Sequence, residues 1–434
     1  MTDADPSPPD SAPARLLADR RLWVMGALGF FSGLPLPLSG FTFRLWLSEG
    51  GVSLALIGLT ANVGLAYSLK FLWAPVLDRV RPPPPFHRLG RRRGWLVPIQ
   101  IALTLAAAAL AFAHPAHAPG AAIAAAAGIA FCSASQDIVI DAWRIETFAP
   151  RAQGAAMAAY VWGYRVALLV SGAGVIAASK TLGWAGALGL MAGLMALAPL
   201  LTLAAPEPVS PRVAALVADR AGRFFAGLRG AVLVPLRDLL ARPGAPTILG
   251  FVALFKLGEA MAGVMTAPFY THLGFDRAAI AVANGPLALA CAFAGTALGG
   301  FLVARLGVGR ALLATGWVQT LTMGMYLVLA ASAGHAHVLV ATVAIEAFAE
   351  GMADAAFITY LSGLCAPGYA ATQYALLSSL AAIALRTVGG LSGFLAAATG
   401  WTAFYALAMF AALPAMGLML RLLRRYPPAE RRPA

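Results

Sequence analysis

The 434-residue chain is 60% hydrophobic and only 11% charged, with a net charge of +13, and its mean hydropathy is +0.78. Water-soluble domains run near 25% charged residues, so this composition excludes an ordinary wet exterior and makes lipid the solvent for most of the outer surface. The apolar runs are close to the roughly 20 residues that one helical crossing needs. They show no period-two alternation, which excludes a β-barrel, the other structure that satisfies its backbone in lipid. The expected fold class is an all-α membrane protein.

In chain order, residues 1–21 are rich in Pro and Asp and lack an apolar core, so they read as a disordered cytoplasmic tail and not as a cleaved signal. Twelve spans are expected near 22–46, 53–76, 95–113, 120–146, 153–178, 184–204, 246–271, 278–303, 310–331, 337–364, 373–396 and 401–422. Six form an N-terminal bundle over 22–204 and six a C-terminal bundle over 246–424, joined by a cytoplasmic linker at 205–245 and followed by a tail at 425–434. Within the linker, arginines alternate with apolar residues over 211–228 at roughly helical spacing. That pattern fits an interfacial amphipathic helix and equally a solvated tether.

With these spans, about 23 of the basic residues fall in loops and tails on one side, against Lys180 and Arg277 on the other. The positive-inside rule then puts both termini in the cytoplasm. The basic charge reports topology and contact with anionic lipid, not nucleic acid. The halves also resemble each other. Gln153, Arg165 and Ser171-Gly172 in the fifth span answer to Gln373, Arg386 and Ser392-Gly393 in the eleventh, six spans apart. That is a parallel repeat of the kind whose halves rock about a midplane site.

Six basic residues remain inside the spans: Arg44, Lys70, Arg144, Arg165, Lys256 and Arg386. The acids there are Asp137, Asp141, Glu146, Glu259, Glu346, Glu350 and Asp354. Each such charge at mid-bilayer costs roughly 2.5–3.5 kcal/mol on insertion scales, so these groups must face a bundle interior or a watery cavity. Asp137, Asp141 and Arg144 share one helix face, and Glu346, Glu350 and Asp354 form a second stripe at i, i+4, i+8. Carboxyls a turn apart in a dry site are suited to holding and releasing a proton; permanent salt bridges to Lys70, Arg165, Lys256 or Arg386 are the structural alternative. Glu146 and Arg44 lie near span ends, where a long side chain reaches the interface. Glu259, three residues after Lys256, forms either a local pair or part of a site.

Pro35 and Pro37 should bend the first span, as a gate or as a packed kink. Trp162 and Tyr164 beside Arg165 are the better candidates for stacking on a sugar ring, since other Trp and Tyr sit at span ends as anchors. The three cysteines, Cys132, Cys291 and Cys365, and the six histidines show no metal or disulfide spacing. No cofactor is expected.

Several stretches resemble the AmpG-type muropeptide permeases of the major facilitator superfamily. They are GFFSGLP at Gly29–Pro35, KFLWAPVLDR at Lys70–Arg79, GRRRGW at Gly90–Trp95 and FCSASQDIVIDAW at Phe131–Trp143. Further matches are Gly163–Arg165, Ala205–Pro208, Tyr360–Ser362 and ATQYALLS at Ala371–Ser378. The resemblance implies a major facilitator fold of two six-helix bundles, acting as a proton symporter that imports anhydromuropeptides from periplasm to cytoplasm through a bacterial inner membrane. It places Asp137 and Asp141 in the central cavity; proton coupling is expected at these two and, from the tenth-span stripe, at Glu346 and Glu350. Substrate contacts are expected at Lys70, Gln136, Trp162, Tyr164, Arg165, Lys256, Glu259, Gln373 and Arg386, and gating at Asp78, Arg79, Arg91 and Arg92. Ala74 replaces the usual glycine of the superfamily's loop motif, and Arg44, Glu350 and Asp354 stand where uncharged residues are expected. The partners expected are a glycopeptide, protons and lipid, with the chain monomeric. The alternative within transport is a related carrier for a drug, a short peptide or an acyl-CoA-like anion. A membrane enzyme would need a nucleophile or His–Asp cluster that the sequence lacks.

Overall fold

The computed structural model describes residues 19–148, 153–208, 237–332, 334–364 and 370–425, and every regular element among them is helical. The expected amphipathic helix over 211–228 and most of both tails lie outside the described residues. So do Cys365 and the side chains of Gln153, Asp78 and Arg79.

Ten helices among the described residues are long and apolar enough to cross a membrane. One of them, Ala159–Ala204, has 46 residues, about twice what one crossing needs. It breaks at Gly183, whose φ of 67° and ψ of 170° belong to a region that glycine adopts without a Cβ penalty. It therefore supplies two passes, the fifth and sixth. The shorter apolar helix Leu54–Leu69 is the second pass. The other passes are Arg20–Glu49 (first), Arg92–Ala111 (third), Pro119–Thr147 (fourth), Ala245–His272 (seventh), Arg277–Leu306 (eighth), Val308–Ala331 (ninth), Ala336–Leu361 (tenth), Leu376–Thr399 (eleventh) and Trp401–Arg425 (twelfth).

Two passes are interrupted. The first runs as Arg20–Gly33, Pro35–Leu38 and Phe41–Glu49, because Pro35 and Pro37 remove two backbone donors. The second, expected as one helix over 53–76, alternates instead between α turns and tight 3₁₀ turns at Thr60–Gly64 and Lys70–Leu72. Local polar side chains compete for its carbonyls: Thr60 Oγ1 donates to the Ile57 carbonyl at 2.6 Å and Asn62 Nδ2 to that of Leu59 at 3.2 Å.

The packing repeats with a six-pass offset. The first pass lies on the fifth as the seventh lies on the eleventh, and the second on the fourth as the eighth on the tenth. The third packs on the fourth and sixth, and the ninth on the tenth and twelfth. The halves meet where the second pass lies on the eleventh, the fifth on the eighth, and the first on the seventh. One core cluster runs through both halves, from Leu34 and Met191 to Phe269 and Phe404, and each half adds a smaller one of its own; in the shared core Tyr326 stacks on Tyr405 with ring centroids 4.6 Å apart. Leu105, Leu190, Leu200, Leu321 and Phe410 stand exposed. Water would penalise them by roughly 25 cal/mol per Å²; a hydrocarbon exterior does not.

Candidate functional site between the halves

A cavity of about 450 Å³ lies where the halves meet. The bent part of the first pass supplies Pro37, Thr42 and Arg44, and the irregular second pass supplies Thr60, Gly64 and Tyr67. Gly172 and Ile176 come from the fifth pass, Asn284 from the eighth and Arg386 from the eleventh. The interrupted helices are thus the ones that line the opening. Irregular backbone at membrane depth is tolerated where it borders a cavity.

In the N-terminal half, the Ser32 hydroxyl donates to Asp137 Oδ1 and stands 2.7 Å from Tyr160 Oη. Tyr160 and Tyr164 pack with ring centroids 5.9 Å apart. Lys70 lies near enough for its charge to act on Asp137. Gln136 is fully buried and donates to the Phe31 carbonyl at 3.1 Å, which ties the fourth pass to the first. Asp141 has a different setting: its side chain is 47% exposed and pairs with Arg144 on its own helix at 3.6 Å.

In the C-terminal half, Lys256 Nζ lies 2.9 Å from Glu259 and also pairs with Asp354 of the tenth pass. Gln319 Nε2 donates to Glu259 Oε2 at 2.5 Å. The Lys256–Glu259 spacing therefore gives the local pair, and Asp354 joins it to a neighbouring helix. Glu346 keeps Oε1 buried and without a hydrogen-bond partner among the described residues.

Three expected site residues stand apart from these clusters. Trp162 is 70% exposed and lies outside the cavity lining. Arg165 stacks over the Phe293 ring at 5.2 Å. Gln373 donates to Asp238 at 2.7 Å and accepts from Arg242 at 3.2 Å, on the face where the basic loops gather. Those two hydrogen bonds, from Arg242 first and then Gln373, hold the Asp238 carboxyl below the usual carboxylate range.

On that basic face the ion pairs stay within one half. Arg91 and Arg92 both bind Glu146, at 2.8 and 2.7 Å, so Glu146 anchors the arginine cluster and does not reach for the interface. Glu207 accepts from the Arg92 and Arg93 backbone N–H groups at 2.8 and 3.0 Å, capping the third pass where its dipole favours a negative charge. The opposite face is arranged differently. Glu49, at the end of the first pass, receives Arg277 of the eighth through a fork at 2.9 and 2.6 Å. Trp184 Nε1 donates to the same carboxylate at 2.7 Å, and Arg277 also reaches the Ser179 carbonyl at 2.9 Å. Lys180 and Asp276 pair beside it at 2.9 Å. This latch joins the two halves, and the sequence pointed to it only indirectly, by leaving Lys180 and Arg277 as exceptions to the basic side.

A twelve-pass bundle of two matched halves around a charged cavity defines the class, a secondary transporter. Among solved structures, a bacterial homologue of the human lysosomal transporter Spinster, inward-facing and occupied, matches with a TM-score of 0.69 at 16% identity, covering 98% of this chain and 100% of that one. The peptide transporter POT in complex with sulfate matches with a TM-score of 0.67 at 14% identity, covering 94% of each chain. The family model for the Major Facilitator Superfamily matches residues 25–385. The Anhydromuropeptide permease of Escherichia coli K12 is 39% identical over 412 residues, covering 94% of this chain and 80% of the relative. The transporter named AmpG 4 of Rickettsia felis is 32% identical over 410 residues, covering 94% and 98%. The chain belongs to the major facilitator superfamily and, within it, to the family of the AmpG-type anhydromuropeptide permeases. Its members here are permeases and transporters, not enzymes.

Proposed function

We propose that the protein imports anhydromuropeptides across a bacterial inner membrane into the cytoplasm by alternating access, driven by protons. The observation that carries this reading is the charged cavity at the seam of two matched halves, in a chain of this family. A glycopeptide bearing carboxylates suits a site with Arg386 in its wall and Lys70 beside the Asp137 cluster. Asp137 is the proton carrier on this reading. Its hydrogen-bond partner is the Ser32 hydroxyl, with the Lys70 charge acting on it as well, and a hydroxyl serves a carboxylate as donor and a carboxylic acid as acceptor. Tyr160, Ser32 and Asp137 then form a chain along which protons are redistributed. Tyr164 and Gln136 position this cluster, and the Lys256–Glu259–Asp354 network holds the C-terminal half in register. Asp141, Glu346 and Glu350 are secondary carriers. Asp78 and Arg79, with Arg91 and Arg92, gate the cytoplasmic face.

The basic face is cytoplasmic by the positive-inside rule, with both termini on that side and anionic lipid against it. The latch of Glu49 and Arg277 then closes the periplasmic side, which supports an inward-facing arrangement. One chain supplies both halves of the site, so the monomer is the working unit.

Labelled anhydromuropeptide offered to proteoliposomes containing the protein should accumulate when the outside is made acidic and stop when the gradient is collapsed. Accumulation that ignores the gradient would remove proton coupling; no uptake at all would remove the substrate.

A further inference from the structure

The cavity holds two guanidinium groups with no carboxylate paired to them among the described residues. Arg44 comes from the first pass and Arg386 from the eleventh, so each half contributes one. Both Nε atoms are buried without a hydrogen-bond partner, and so is Tyr67 Oη on the same wall. The acids of the neighbouring networks have other partners: Asp137 the Ser32 hydroxyl, Glu49 Arg277, Asp141 Arg144, and Glu259 and Asp354 Lys256. The two arginines lie close enough for the charge of one to act on the other. Two like charges taken out of water without a counter-ion carry a desolvation penalty and a repulsion together, an arrangement that stability alone would not select.

The backbone makes room for this pairing. The Arg386 guanidinium lies against Gly64 of the second pass, where an added Cβ would stand 1.5 Å from Nη1 and 2.3 Å from Cζ. Glycine at this position leaves the space into which Arg386 reaches from the C-terminal half toward the N-terminal one. The sequence placed Arg44 near a span end, reaching for the interface. The structure places it instead in the cavity wall, on the segment that follows the break in the first pass.

We infer that Arg44 and Arg386 form a two-sided clamp for one carboxylate group of the substrate, with Tyr67 and Asn284 as further donors. A guanidinium presents a planar fork that matches a carboxylate in two parallel hydrogen bonds. A cavity of about 450 Å³ encloses the end of a glycopeptide and leaves the rest outside. Because the two cations belong to different halves, a carboxylate between them cancels their repulsion and ties the halves together. The inference rests on the transport reading above and adds Arg44 to it as a specificity-determining residue.

The test compares the full-length wild type with Arg44→Gln, Arg386→Gln and Arg44→Lys. Proteoliposomes receive labelled anhydromuropeptide with free carboxyls, or the same compound with every carboxyl converted to amide. The wild type should favour the free form by about 10- to 100-fold, the range of a charged hydrogen bond. Both Gln variants should bring the ratio close to one by cutting uptake of the free form more than that of the amide, and Arg44→Lys should restore part of it. A preference that survives Arg44→Gln, or an equal fall for both compounds, overturns the clamp.

Melting of the purified protein gives an independent readout. Empty Arg44→Gln should melt higher than empty wild type, because one of two repelling charges is gone; a lower melting point would mark a structural arginine and overturn the inference. A short peptide with a free carboxyl should raise the wild-type melting point, its amide should not, and Arg44→Gln should lose the difference. If neither muropeptide enters but this peptide effect holds, the substrate reading fails and the clamp stands. If inorganic phosphate stabilises as well as the peptide, the carboxylate assignment falls.

Discussion

The acids of the fourth and tenth passes occupy corresponding places in a repeated scaffold, yet they are held in opposite ways. Asp137 is met by the neutral hydroxyl of Ser32, itself 2.7 Å from Tyr160. Asp354 is met by the Lys256 ammonium, which Glu259 shares at 2.9 Å. A hydroxyl accommodates a carboxyl in either protonation state, whereas an ammonium favours the charged one. The repeat thus divides its work on the proposed reading: Asp137 is free to change charge, and Glu259 and Asp354 are pinned. The lesson is that equivalent positions in a duplicated fold do not carry equivalent chemistry, and the partner decides which half moves the proton.

The largest effect should come from Asp137→Asn, which keeps the shape and removes the titratable group. Gradient-driven uptake should fall to background while exchange of labelled for unlabelled substrate, which moves no net proton, continues. If gradient-driven uptake persists, the division of work between the halves is wrong. Next, Lys256→Met should destabilise the protein by about 3 kcal/mol, the low end for a broken buried pair, because it leaves the partly buried Glu259 and Asp354 without a counter-charge. Thermal unfolding checks this, and adding Glu259→Gln with Asp354→Asn should recover most of the loss. Ser32→Ala removes a hydrogen bond to a charged group and should cost about 1.5–3 kcal/mol. The ordering of those two losses sharpens the comparison; equal losses would mean that Asp137 is pinned as firmly as Asp354.

The fold was open to sequence reading because lipid imposes long apolar runs and the loops carry the charge asymmetry. The break at Gly183 fell between two such runs. The irregular second pass was not legible, since Thr60 and Asn62 act through short side-chain bonds to their own turns, which no hydrophobic period records. Asp137 and the Lys256–Glu259 pair stood out as charges inside apolar runs. Glu49 did not, because an acid at a span end looks like any interfacial residue; Lys180 and Arg277, cations on the wrong side, were its only trace. Gln373 matched Gln153 in the repeat, but its partners Asp238 and Arg242 lie in a stretch that read as linker. Arg44 was misjudged because the bend before it cannot be oriented from sequence.

The latch at the opposite face tests whether the two halves separate as units. Glu49→Gln weakens the fork to Arg277 and should shift the population toward an open outer face. With native cysteines replaced by serine, an Asn284→Cys probe in the cavity should then react with an impermeant thiol reagent about 5- to 30-fold faster, the factor for one or two kcal/mol. The smallest effect should come from Lys180–Asp276, whose side chains are both 56% exposed and therefore screened by water and salt. The Lys180 hydrogen bond, with help from backbone N–H groups, holds the Asp276 carboxyl below its ordinary value. A carboxyl lowered in the folded state contributes fully above its unfolded pKa of about 3.9 and is lost only as pH falls through the lower folded one. This pair should therefore stay intact from pH 8 down to 5, and Asp276→Asn should change probe reactivity by less than Glu49→Gln at every pH in that window. A rise in reactivity between pH 7.5 and 5.5 that Asp276→Asn abolishes would make this exposed pair, and not the buried cluster at Asp137, the group through which acidity reaches the halves.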